Sequence, residues 1–392
     1  MLPTIYTSIE FLTISDIHLN KEQEHIMQIE PYGLDLKSGM DLQTFVTLSN
    51  VIAQNVGDGK LVTDPAFVLY LGDIVGYQRD FELNRTILVE ENEHILYSTL
   101  QKMFPNRPII SVFGNNDSFE KDYGNFTFHS MSPFETAIQF GFKNGFLSTG
   151  EVCEGQLFPI FPCILSQNQI QGYFTIKLHQ ALVLVGLNTV MFSPIHQATS
   201  NEIQDQVDFL QNTLDTAKTN GMLVLIAMHI PVGENVYDGS SFWKKPYQDM
   251  FLKVIRFYHS HISGILVSHT HMEEFKIIKI PDGQDIGEYF TAGLSTLHGN
   301  SPSFKMFEMD NKMDKWAINN YVTYQLHVED EEIVLSKYYD FQATYCENTK
   351  STIDINSCLD HILFNQTLPR FTVNNPNYED YPVTHPESFY VD

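Results

Sequence analysis

No stretch of this 392-residue chain approaches the roughly 20 consecutive apolar residues that span a bilayer, so no membrane-crossing helix is expected. Met1 to Ser8 is too short and too polar for the apolar core of a secretory signal. Positive charge is scarce: 23 Lys and Arg stand against 48 Asp and Glu, a net charge of −25. That balance opposes binding to a polyanionic nucleic acid or an anionic membrane surface. Cysteine is limited to Cys153, Cys163, Cys346 and Cys358. Neither local pair has zinc-finger spacing. Four cysteines allow three connectivities, but local loops close most easily. The reading is therefore two disulfides, Cys153 with Cys163 and Cys346 with Cys358, and an oxidising compartment (secreted, periplasmic or lumenal). Free buried thiols in a reducing compartment are the alternative. Internal repeats and low-complexity tracts are also absent, which excludes solenoids and long flexible linkers.

What remains is a chain that is 43% hydrophobic and 18% charged, enough to bury a substantial core. Apolar runs alternate with helix-like segments at Asp41 to Gln54, Glu91 to Phe104 and Glu202 to Thr219, a pattern of an α/β domain. Five of the runs, Phe11 to Ser15, Phe67 to Leu71, Ile109 to Phe113, Leu223 to Met228 and Gly264 to Val267, read as buried strands. Each is closed by polar residues: Asp16-Ile17-His18, Gly72-Asp73, Gly114-Asn115, His229 and His269-Thr270-His271. Strand ends are where loops build sites.

The residue types point to metal chemistry. A pair of borderline divalent ions takes neutral imidazoles and carboxylates, with one carboxylate bridging and an amide oxygen completing a shell. The fragments supply four histidines, two aspartates and one asparagine. Two ions roughly 3.5–4 Å apart acidify a water and clamp the oxygens of a phosphate during in-line attack. Phosphoester or phosphoanhydride hydrolysis is the implied chemistry.

In this order the motifs resemble the calcineurin-like metallophosphoesterase superfamily, whose usual signature is Asp-x-His, Gly-Asp, Gly-Asn-His-Asp/Glu, His and Gly-His-x-His. More narrowly, Leu187-Asn188-Thr189, His229-Ile230-Pro231-Val232-Gly233, Ser268-His269-Thr270-His271 and Asn300-Ser301-Pro302-Ser303-Phe304 are similar to the acid sphingomyelinase-like phosphodiesterase branch. The resemblance covers roughly residues 9 to 365. It implies two mixed β-sheets packed face to face and flanked by helices. It also implies one metal at Asp16, His18, Asp73 and His271, and a second at Asp73, Asn115, His229 and His269. The ions are expected to be zinc, with manganese or iron also allowed by the donors. The Cys346 and Cys358 pair resembles a disulfide of the same branch.

Two positions depart from the family. The residue after the metal-binding asparagine is usually a histidine that protonates the leaving group, and here it is Asn116. Where the branch often has a second active-site histidine, four residues past the bridging aspartate, this chain has Tyr77. General acid catalysis is typically worth about 10²–10⁴-fold, most of all when the departing oxygen is a basic alkoxide such as that of ceramide. The expected substrates are therefore small phosphate compounds with good leaving groups, nucleotides or nucleotide-choline-like diphosphates. Tyr77, or His298 reaching in from a later loop, is the candidate replacement donor.

The expected division is a catalytic domain over 9–327 and a C-terminal subdomain and tail over 328–392, marked by the acidic run Glu329-Asp330-Glu331-Glu332. Candidate substrate contacts are Asn116, Tyr237 and Trp243, with the phenylalanine-rich segment Phe119 to Phe146 as either an aromatic wall or a core-covering segment. Asn84, Asn125 and Asn365 lie in sequons. The expected partner is a small-molecule phosphate substrate, and nothing in the sequence specifies an oligomeric state. Two other readings stand beside this one: a sphingomyelin phosphodiesterase or acid phosphatase, and a metal-bearing binding protein that has lost its proton donors.

Overall fold

The computed structural model describes residues 8–20, 28–30, 33–35, 40–76, 85–139, 145–155, 160–312, 315–346, 354–362 and 383–392. Tyr77, Asn84 and Asn365 lie outside them, as does most of the tail. In chain order the strands of the two main sheets are β1 Ser8–Ile14, β2 Phe67–Tyr70, β3 Ile109–Ser111, β4 Cys163–Asn168, β5 Tyr173–His179, β6 Leu182–Leu187, β7 Leu223–Met228, β8 Ile262–Val267, β9 Phe275–Ile278, β10 Ile286–Phe290, β11 Ser303–Lys312, β12 Lys315–Glu329, β13 Glu332–Asp340 and β14 Tyr390–Val391. The principal helices are α1 Leu42–Asn55, α2 Arg85–Met103, α3 Pro133–Gln139, α4 Ser200–Thr219 and α5 Lys245–Tyr258.

The first sheet runs β13-β12-β11-β1-β2-β3 and the second β14-β9-β10-β8-β7-β6-β5-β4. Both are mixed, and their central members are parallel: β1 with β2, β2 with β3, β6 with β7, and β7 with β8. Alternation along β1 and β2 explains why both faces are apolar. Phe11, Phe67, Leu69 and Leu71 enter the core shared with the second sheet. Leu12, Ile14, Val68 and Tyr70 face α1 and α2 instead, against Phe45, Leu48, Ile52, Leu96 and Leu100. The second sheet is covered likewise by Val207, Leu210 and Leu214 of α4 and Phe251, Leu252 and Ile255 of α5. The sheets meet through a ring stack, Phe11 on Phe67 and Phe307, with Phe307 packed on Tyr289. This is the architecture that the motif order implied.

Local chemistry sets the helix starts. The Asp41 carboxylate accepts the Thr44 N–H at the head of α1, and Thr199 with Glu202 forms a reciprocal cap on α4. The acidic run at 329–332 is the turn between β12 and β13, with Asp330 and Glu331 at φ 49° and 67°. The boundary expected at 327–328 thus falls inside β12, and β13 extends the same sheet. Cysteines 153 and 163 are joined, as are 346 and 358.

One buried ion pair ties the first sheet to the loop after β8. Lys305 donates to Glu273 and, at 2.8 Å, to the Thr323 hydroxyl; Glu273 also accepts from Tyr339 at 2.7 Å. Both charges are fully buried. Lys305→Met leaves an uncompensated carboxylate and should cost about 3–5 kcal/mol of stability in denaturant unfolding. Lys305→Met with Glu273→Gln should recover most of that loss, and an unshifted midpoint in the single variant would contradict the assignment.

Candidate metal centre

The parallel arrangement places the carboxyl ends of β1, β2, β3, β7 and β8 on one edge, and the five polar fragments converge there. Asp16, His18 and His271 bring donor atoms within 4.8 Å of one another, and so do Asp73, His229 and His269. Asp73 lies between the groups: its Oδ2 is 3.5 Å from His18 Nε2 and 3.3 Å from His229 Nε2. Asn115 Oδ1 is 3.1 Å from His229 Nε2, and His269 Nδ1 is 3.3 Å from the same nitrogen. In the first group His18 Nε2 and His271 Nε2 are 2.9 Å apart.

These spacings fit metal binding. Donors about 2.0–2.1 Å from an ion are separated by roughly 2.9 Å at right angles and roughly 3.4 Å at the tetrahedral angle. Asp16 Oδ1 is buried and accepts no hydrogen bond, with His271 Nε2 at 3.5 Å and His18 Nε2 at 3.8 Å. A buried carboxylate oxygen without a partner is costly, and a cation at this point satisfies it. The ring tautomers agree. His18 Nδ1 faces the Val75 carbonyl at 3.1 Å and His229 Nδ1 the Leu71 carbonyl at 2.7 Å. Each Nδ1–H is held by a backbone acceptor, which turns the Nε2 lone pair into the site.

The backbone is shaped for the same purpose. Asp16, His18, Asp73, His269 and His271 all have φ between 47° and 77°, a region that costs non-glycine residues about 1–3 kcal/mol each and marks functional sites. The two motif glycines permit close approach. A Cβ on Gly72 would lie 2.7 Å from Gly114 N, and one on Gly114 only 2.3 Å from Asp73 Oδ1.

Burial raises the Asp16 carboxyl, but the His271 charge and the His18 contact outweigh it and bring it down to about 2. Asp73 is likewise carried far below the usual range, against burial, by His229 and His18. Burial and the neighbouring His229 charge lower His269 to about 4. His229 is pushed up to about 9, its burial overcome by the Asp73 charge. The carboxylates are thus ionised, and metal uptake has a proton to displace from His229.

Asn116 is buried, its N–H 2.8 Å from Asp73 Oδ1 and its Nδ2 2.9 Å from Asp73 Oδ2. The amide therefore steadies the carboxylate between the two groups. His298, at φ 66°, is solvent-accessible, and its ring lies edge-on to His271 with centroids 4.8 Å apart. Tyr237 is half-buried against the C-terminal segment, its carbonyl accepting from the Thr384 hydroxyl. Trp243, expected at the entrance, is fully buried between Phe192 and Phe251 and donates to the Ile230 carbonyl. It is a core residue and not a substrate contact. Phe119, Phe126, Phe134 and Phe146 are also buried, and the last three pack on one another, so that segment covers the core.

Several participants escape a reading by motif. The Asp117 carboxylate accepts the N–H groups of Asp73, Ile74 and Gly114, fixing both loops. Arg85 donates to the carbonyls of Asn116 and Ser118. The Tyr123 hydroxyl is 3.4 Å from His269 Nε2, and the Phe242 ring meets His269 edge-on. Asp117 follows directly in the Gly-Asn motif and Tyr123 lies in the loop just after it, its N–H on the Asn115 carbonyl, whereas Arg85 and Phe242 come from other segments.

With this geometry in view, similarity to known proteins agrees. A family model described as calcineurin-like phosphoesterase matches residues 9–273, well over half of the chain, and the chain belongs to that family. Sphingomyelinase phosphodiesterase D of Dictyostelium discoideum is 25% identical over 309 residues, covering 75% of this chain and 64% of its own length. Cyclic GMP-AMP phosphodiesterase SMPDL3A of Bos taurus is 21% identical over 285 residues, covering 68% of this chain and 58% of its own length. Acid sphingomyelinase-like phosphodiesterase 3b of Homo sapiens is 24% identical over 342 residues, covering 81% and 70%. The chain spans less than two thirds of the length of the first two relatives.

Proposed function

We propose that the protein is a binuclear-metal phosphodiesterase or phosphohydrolase of small phosphate compounds, most closely suited to nucleotides or nucleotide-choline-like diphosphates. The carrying observation is the pair of donor groups on either side of Asp73, with a buried amide, Asn116, where the family places an imidazole. Asp16, His18, Asp73 and His271 would hold one ion, and Asp73, Asn115, His229 and His269 the other, with zinc as the metal that suits imidazole and carboxylate donors. When bound, the two ions acidify water and neutralise the phosphate oxygens. The chain's own residues do the rest. Asp117 and Asn116 hold Asp73 in place, Thr189 fixes the N–H after His229 at 2.9 Å, and Tyr123 orients His269.

The leaving group decides the substrate. Asn116 delivers no proton, which disfavours alkoxide departure and leaves anhydrides, whose phosphate leaving groups are weakly basic. His298, exposed and edge-on to His271, is the first candidate replacement donor, and Tyr77 the second. The relative named for cyclic GMP-AMP supports the nucleotide part of this reading but not the anhydride part, since sugar-phosphate diesters lose an alkoxide. The relatives named for sphingomyelin support a second reading, cleavage of a phospholipid-type diester. Two disulfides favour an oxidising compartment, secreted, periplasmic or lumenal.

The test is a substrate panel: zinc-loaded protein with ATP, a cytidine diphosphate-choline compound, sphingomyelin and an aryl phosphodiester. Turnover of the anhydrides and the aryl ester, lost on chelation and restored by zinc, is expected. Efficient sphingomyelin cleavage would overturn the leaving-group argument, and full metal occupancy with no turnover would make this a binding protein.

A further inference from the structure

The loop after His229 and the turn that carries His269 and His271 stand on one buried charge group. Lys276 of β9 is fully buried, and its Nζ donates to the backbone carbonyl of Glu234 in the His229 loop. The same ammonium lies 4.8 Å from the centroid of the Phe242 ring, whose edge meets His269. Opposite Lys276 across the β9–β10 pair is Glu288, also fully buried. Its Oε1 accepts the Val232 N–H at 2.8 Å, three residues past His229. Glu274, buried beside them, accepts the Thr270 hydroxyl at 2.5 Å, and Thr270 separates His269 from His271. The second oxygens, Glu274 Oε2 and Glu288 Oε2, are buried without a hydrogen bond. Burial pushes both carboxyls up, and the charge that opposes it is Lys276.

We propose that Lys276 is a positioning residue for the metal centre, acting through Glu288 and Glu234 on His229 and through Phe242, Glu274 and Thr270 on His269. The inference rests on the two-metal reading of the site. Its consequence is asymmetric. Both imidazoles of the second group, His229 and His269, rest on Lys276, whereas in the first group only His271 shares the Thr270 turn, and Asp16 and His18 are held by the hydrogen bonds of residues 16–19 to residues 72–75. Lys276 is the charge that opposes burial at both carboxyls, since an isolated buried charge is too costly. Removing Lys276 protonates or displaces them, and the two loops lose their common anchor.

The test is zinc titration of the metal-free full chain by calorimetry or competition with a chromophoric chelator. In Lys276→Met one equivalent should bind within about threefold of wild type, and the other should weaken about 10–100-fold, the usual effect of losing support behind a ligand. Should that variant not fold, Lys276→Met with Glu274→Gln and Glu288→Gln removes the unpaired charges and should show the same asymmetry. A folded variant that binds both equivalents as wild type does, or weakens both equally, overturns the proposal. Wild-type protein that takes up fewer than two equivalents fails the two-metal reading itself and takes the proposal with it.

Discussion

Asp73→Asn is expected to lower turnover by about 10³-fold or more while leaving the protein folded. Asp73 Oδ2 lies within 3.5 Å of an imidazole Nε2 from each donor group, His18 and His229. It is almost fully buried, and its negative charge is what lifts His229 and counters the repulsion between two cations. Asparagine preserves the shape and removes the charge, so the attraction for both ions falls together. Charge stabilisation of this kind is commonly the largest contribution to catalysis. In the metal-free protein the same carboxylate, held against burial far below the usual range by His229 and His18, pairs with the raised His229, so metal-free Asp73→Asn should unfold at lower denaturant than metal-free wild type. Metal content, kcat/KM on an aryl phosphodiester and an unfolding curve together check this. Retention of activity within tenfold would rule out the central role given to Asp73.

Asn116→His is expected to change specificity and not merely rate. An imidazole beside Asn115 restores the group that the family uses to protonate a departing oxygen, and general acid catalysis of that kind is worth about 10²–10⁴-fold. The gain should appear with alkyl esters such as sphingomyelin, whose leaving oxygen is basic. Anhydrides and aryl esters, which depart without help, should change by less than about tenfold. Asn116 now donates to both Asp73 oxygens, through its backbone and its side chain. The histidine variant keeps the backbone donor and gives up the side-chain one, so a modest loss of metal affinity should accompany the gain. The ratio of kcat/KM for alkyl against aryl diesters is the readout. An unchanged ratio would mean that Asn116 is not what limits proton delivery.

The part of the fold that builds the site was legible because each ligand fragment carries its own strand. Phe11 to Ser15 and Leu223 to Met228 are runs that no other element could use, and they are β1 and β7. Asp41 to Gln54 and Glu202 to Thr219 match α1 Leu42–Asn55 and α4 Ser200–Thr219 closely. What failed was orientation. Trp243 reads as a loop aromatic because nothing local says that Phe192 and Phe251 enclose it. The phenylalanines between 119 and 146 announce apolar area without telling which surface they cover. The helix α5 carries one local signal, Pro246 in its first turn, a favoured place for proline. Lys276 is the hardest case. Among the apolar residues of β9 it reads as the solvent-facing member of an alternating strand, and only the register against Glu288 shows that it is buried. Strand-end chemistry is local and therefore readable; the partners that hold it in place come from register and packing between distant segments.

The most direct test of the two-metal account is a zinc titration of metal-free protein in which bound metal and turnover of an aryl phosphodiester are followed together. Two equivalents should bind, and turnover should stay near background until the second site fills, because attack and charge neutralisation both draw on the pair. Full turnover with one equivalent bound, or in the presence of a strong chelator, would contradict it.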